Sequence, residues 1–190
     1  MATLLFVIIL SLFIGLGLPD SLFGSAWPAI YRQLNLPISY ANYVTTLISL
    51  GTVISSLFAS KLVCKLGTGL VCALSTLLTA LTMLLFSLGD NIIWFCLLSM
   101  PLGFGAGAID ASLNNYMALN YSSVHMGLVH CFYGIGVSVS PLFMSLALAK
   151  TDSWQKGYLI VVVILAIIAF CAFFALPLWK KVSNKNNEGE

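Results

Sequence analysis

Two carboxylates stand where carboxylates are expensive. Asp20 is the only ionisable residue between Leu4 and Ile30, and Asp110 lies in a second apolar stretch. An Asp near the centre of a bilayer costs roughly 2.5–3.5 kcal/mol on insertion scales, so such residues are rare and usually functional. Surroundings that desolvate a carboxyl disfavour its charged form, so an acid there can take up and release a proton. No Lys or Arg occurs at comparable depth to neutralise either acid, and His130 is the only other titratable candidate within the bundle. The chemistry these types support is binding of a polar solute by one carboxylate and carriage of a coupling proton by the other. The plain alternative is that both bond to neighbouring helices, or cap a first helix broken at Pro19.

Polar residues recur around them at helical spacing. Gly17, Asp20, Gly24, Trp27 and Tyr31 follow one another at steps of three and four, which puts them on one stripe. Asn42, Thr45, Ser49, Thr52 and Ser56 form a second stripe, and Gly103, Gly107, Asp110 and Asn114 a third. A fourth carries His130, Tyr133, Gly134, Ser138 and Pro141. Trp27 and Tyr31, beyond Asp20, offer an aromatic face of the kind that holds a sugar ring, or else an interfacial belt. The spacing Gly103-x-x-x-Gly107 favours close helix approach over a ligand role. The hydroxyl stripe fits packing between helices and a wet face equally well.

The elements that must position these residues are membrane helices. The chain of 190 residues is 60% hydrophobic and only 7% charged, too few charges to cover a soluble fold. A crossing takes about 20 apolar helical residues, and the sequence divides into six, near 3–31, 38–60, 69–89, 92–117, 126–148 and 156–179. Residues 181–190 then form a polar tail. The third and sixth spans lack polar stripes and are expected at the periphery of a bundle whose other four helices enclose a hydrated interior. Cys64, Cys72, Cys96, Cys131 and Cys171 are odd in number and widely spaced, with no metal or redox motif and no implied cofactor. The apolar start lacks the basic flank of a cleaved leader. A net charge of +2 without a basic face gives no purchase for nucleic acid. With both termini on one side, that side holds Lys61, Lys65, Lys180, Lys181 and Lys185, against Arg32, Lys150 and Lys156 opposite, which predicts cytoplasmic termini.

Three segments together resemble a known family. They are Gly17-Leu-Pro-Asp20-Ser-Leu-Phe-Gly24-Ser-Ala-Trp27-Pro28, Gly103-Phe-Gly-Ala-Gly107-Ala-Ile-Asp110-Ala-Ser-Leu-Asn114-Asn115, and His130-Cys-Phe-Tyr133-Gly-Ile-Gly136 running to Ser140-Pro141. The chain resembles the N-terminal six-helix half of a major facilitator superfamily transporter, most like the bacterial fucose-permease-like sugar:proton symporters. The resemblance implies an all-α bundle in an inner (plasma) membrane. It implies alternating access to a small polar solute, with Asp20, Trp27, Asn114, His130 and Tyr133 as solute contacts. Asp110 and Asp20 become the proton-coupling acids. In the loop between the second and third helices, Lys65 and Gly67 are all that remains of the family's gating pattern, whose Asp is missing. The fourth-helix acid is Asp where that group has Glu, one methylene shorter.

Such transporters rock two six-helix halves about a shared site, so the resemblance implies a second half, either another copy or a separate chain. The rival expectation is a truncated, non-transporting remnant or an interaction subunit. An intramembrane aspartyl protease also needs two membrane Asp residues. Its Gly-x-Gly-Asp signature is absent, because two residues separate Gly107 from Asp110, and no enzyme activity is expected.

Overall fold

The computed structural model describes residues 2–179; the polar tail expected at 181–190 lies outside the described residues. Six long helices account for nearly all of them: α1 (Ala2–Gln33), α2 (Ala41–Leu66), α3 (Thr68–Ser87), α4 (Ile92–Asn120), α5 (Ser123–Thr151) and α6 (Trp154–Phe174). A 3-10 turn, Ile38–Tyr40, precedes α2, and there is no strand among the described residues. Each helix is long and apolar enough to cross a membrane. The architecture is an all-α membrane protein, a half-bundle of six spans.

The connections are short and set by local chemistry. Gly67 alone separates α2 from α3, at φ +79° and ψ 150°, a backbone state that favours glycine. Asn91 opens α4 by accepting a hydrogen bond from the Trp94 backbone N–H at 2.9 Å, as an N-cap should. Proline does not stop α1, α4 or α5, although Pro19, Pro28, Pro101 and Pro141 all lie inside them. Neighbouring helices can re-satisfy the carbonyls that proline leaves without a donor. The Ser21 hydroxyl on α1 donates at 2.6 Å to the Val137 carbonyl on α5, whose own i+4 partner is Pro141.

The helices pack in pairs. The most extensive contacts are α2 on α4 and α1 on α5, with α3 on α6 joining them from behind. Two crossings are built alike. A side chain on Gly17 would strike the Tyr133 carbonyl and the Val137 nitrogen of α5, and one on Gly136 the Ile14 carbonyl of α1. On the other side, Gly103 faces the Ile48 carbonyl and Thr52 nitrogen of α2, while Gly51 faces the Met100 carbonyl of α4. Gly107 likewise abuts the Thr52 carbonyl. The glycines of α4 therefore do what their spacing suggested and bring two backbones together.

The bundle corrects one expectation about its layout. The third helix does not sit at the edge: it packs on both α4 and α6, and buries Cys72, Ala73, Thr76, Thr79 and Met83 among its residues. It pays no polar penalty, because Thr76 and Thr79 return their hydroxyls to the Cys72 and Ser75 carbonyls. Its other face, Leu74, Leu77, Leu78, Leu81 and Leu85, is exposed, as are Leu159, Val163, Ile167 and Phe170 on α6. Those apolar faces suit lipid. The outermost helices of the row are α2 and α5, so their polar stripes border an open face and do not line an enclosed interior.

Candidate functional site

Between α1 and α4 there is little contact, and the open side between them gathers the polar residues. Asp20 projects from α1, and the Tyr133 hydroxyl on α5 donates to its Oδ2 at 2.5 Å. The Gly17 crossing sets this geometry, because it presses α1 against the backbone of Tyr133 itself. Phenol to carboxylate is a charge-assisted bond when the acid is ionised, and such bonds are among the stronger ones. On α4, the Asn114 amide donates to Asp110 Oδ1 at 2.8 Å, one helical turn away. The Asn114 carbonyl oxygen is buried and unpartnered among the described residues. Two acids, each with a neutral polar partner, thus stand inside the spans: Asp20 bonded from α5 and Asp110 within α4.

The described basic residues keep away from this depth. Arg32, Lys65, Lys150 and Lys156 fall in the first or last turns of their helices, and Lys61 one turn before the last of α2. Nothing in the described residues could hold a metal ion through three or more His, Cys, Asp or Glu side chains. The arrangement can accept hydrogen bonds from a hydroxylated solute, and it can bind and release protons at two carboxyls.

Other sequence candidates fall in different places. Trp27 belongs to the core: it is 5% exposed, packs tilted against Phe23 with ring centroids 5.3 Å apart, and donates its indole N–H to the Ile38 carbonyl at 2.8 Å. Its ring has no face left for a solute, because at its level, two turns beyond Asp20, the chain between α1 and α2 closes over it at Ile38. Trp27→Phe should accordingly leave solute affinity unchanged and lower stability by about 1 kcal/mol through the lost hydrogen bond. Thermal unfolding and a transport KM measured on the same preparation check this; a raised KM at unchanged stability would return Trp27 to the site. His130 is exposed on α5, with its ring edge-on to Phe13 at 5.6 Å. Lys65 is exposed in the last turn of α2, and Gly67 is the hinge into α3.

On α2 the hydroxyl stripe mostly serves its own helix, Thr45, Thr52 and Ser56 donating to the Asn42, Ile48 and Thr52 carbonyls. Two links cross to α4: Ser56 on that stripe also donates to the Gly107 carbonyl at 3.3 Å, and Ser55, off it, donates to the Phe104 carbonyl at 2.7 Å. Ser55 and Ser21 were not singled out from sequence. For Ser21 a signal existed, since Pro141 leaves the Val137 carbonyl in need of a donor.

Six spans, two membrane acids and an open polar face define a solute-translocating bundle. Residues 4–190 match the family model described as Major Facilitator Superfamily, and the chain belongs to that family of membrane transporters. No curated protein matches it.

Proposed function

We propose that the chain moves a small polar solute, a sugar by its likeness to the fucose-permease-like group, together with protons. The observation that carries this reading is a pair of partnered acids inside the spans, Asp20 with Tyr133 and Asp110 with Asn114, with no described Lys or Arg bonded to either. Asp20, Tyr133 and Asn114 supply solute contacts, and His130, one turn before Gly134 on the exposed side of α5, borders the same face. Asp110 carries the coupling proton, and Asp20 shares in the transfer. Alternating access proceeds against a second six-helix half that covers the open side of α1 and α4, with the α2–α3 hinge at Lys65 and Gly67 moving at the gate. The exposed apolar residues on the outermost helices, Tyr43, Leu50 and Leu57 on α2 and Leu128, Ile135 and Leu142 on α5, give that half a surface to meet. The lysine bias puts both termini in the cytoplasm of a cell whose plasma membrane holds the protein.

Reconstitution tests the proposal. Proteoliposomes with a pH dye inside should acidify when a transported sugar from a panel is added outside. Sugar uptake without any proton signal would overturn the coupling. Folded protein that moves no sugar, alone or with a second six-helix half, would leave the interaction subunit as the function.

A further inference from the structure

A second polar site lies at the end of the bundle that carries the N-terminus, where α2, α4 and α6 end and α3 begins. Trp179 and Tyr116 pack edge to face there, with ring centroids 4.6 Å apart. Both are more than nine-tenths buried, at 7% and 9% exposure. Among the described residues, the Trp179 indole N–H and the Tyr116 hydroxyl have no hydrogen-bond partner. Native proteins seldom leave buried donors unpaired, and each instance calls for an explanation.

The pyrrole edge of Trp179 is held against the first turn of α3. A Cβ on Gly69 would stand 2.6 Å from Trp179 Cδ1 and 3.0 Å from Nε1, so only glycine fits. That turn follows Gly67, and no side chain caps it. The first amides of a helix have no intrahelical acceptor and favour an anion. Indole N–H, phenolic O–H and helix amides are all donors. Charge agrees: Lys61 and Lys65 close α2 just before Gly67, and Lys180 and Lys181 follow Trp179 in the sequence. Every described carboxylate is elsewhere, Asp20 and Asp110 within the spans and Asp90 and Asp152 in the connections at the opposite end.

We propose that the first turn of α3, with Trp179, Tyr116 and Lys65, binds a phosphate anion, supplied by the headgroup of an anionic phospholipid or by free phosphate. The site stands at the level where a helix bundle meets lipid headgroups, and basic pockets between membrane helices are known to take such groups. Trp179 and Tyr116 give the ligand directed donors, and Lys65 gives it charge.

The test is thermal unfolding of the purified full chain in detergent, titrated with phosphatidylglycerol, phosphatidylcholine or inorganic phosphate. Phosphatidylglycerol should raise the midpoint while phosphatidylcholine does not. In Trp179→Phe and in Tyr116→Phe the apparent affinity should fall about tenfold, the usual worth of one hydrogen bond to a charged group. Without ligand, both variants should unfold at or above the wild-type temperature, because each loses an unpaired donor. Lys65→Gln, an exposed position that folding does not depend on, should weaken binding as well and stands in should either aromatic variant misfold. A matching rise with inorganic phosphate makes free phosphate the source and keeps the site. A rise that is equal in all three variants, equal with phosphatidylcholine, or absent with every anion overturns it.

Discussion

Asp110→Asn should abolish solute-driven proton movement while leaving exchange of solute across the membrane in place. Asn has nearly the size of Asp and can still accept the hydrogen bond that Asn114 donates to Oδ1 at 2.8 Å, so the substitution removes the titratable proton and little else. A carrier that cannot shed its proton still turns over with solute bound on both sides. Asp20→Asn should act differently. The solute and Tyr133 both lose a charged acceptor, and hydrogen bonds to charged groups are worth about 1.5–3 kcal/mol, so solute affinity should drop roughly ten- to a hundredfold. Counterflow of labelled sugar and the internal pH dye, read on the same vesicles, separate the two effects. Loss of exchange in Asp110→Asn would move that acid into the solute site, and an undiminished proton signal would take it out of the coupling path.

Gly103→Ala should destabilise the bundle, and Gly134→Ala should not. An alanine Cβ at 103 would press into the Ile48 carbonyl and stand 2.8 Å from the Thr52 nitrogen. Both are α2 backbone, which cannot yield without parting the helices. Overpacking of this kind costs about 1–3 kcal/mol and occasionally more, and the Ser55 bond to the Phe104 carbonyl, one residue on, should break with it. At 134 nothing stands within 4 Å of the added carbon, and alanine favours a helix by up to about 1 kcal/mol over glycine. Unfolding midpoints of the two variants in one detergent decide the matter. Equal losses would sink the account that the α4 glycines exist to seat α2.

Much of this was legible before any coordinates. An uncharged run long enough to cross a bilayer must become a helix, because lipid offers no partner for an open backbone. The six spans follow from that constraint. Asp20 and Asp110 stood out because acids are so scarce in the spans, and the Gly103–Gly107 spacing carried its packing role openly. The short-range bond from Asn114 to Asp110 also follows from a spacing of four on one helix.

Trp27 and Ser55 show where that legibility ends. A helical stripe is about a hundred degrees wide, and sequence cannot say whether its centre or its edge faces the groove. Trp27 shares the stripe of Asp20 and is nevertheless core, because two turns further along α1 the chain leading into α2 folds over that stripe and accepts its indole N–H at Ile38. Ser55 lies one position from Ser56, and the contact of α2 with α4 gives it the shorter bond across, 2.7 Å to the Phe104 carbonyl against 3.3 Å from Ser56 to that of Gly107. The third helix looked fit for the periphery because its hydroxyls serve their own carbonyls, and the same self-sufficiency lets it be buried. Composition alone determined that this protein lives in a membrane and carries two acids there, since those facts depend on the solvent each residue prefers. Only the tertiary structure decided that Tyr133 reaches Asp20 and that Trp179 lies against Gly69, since those facts depend on which helices touch and how each is turned.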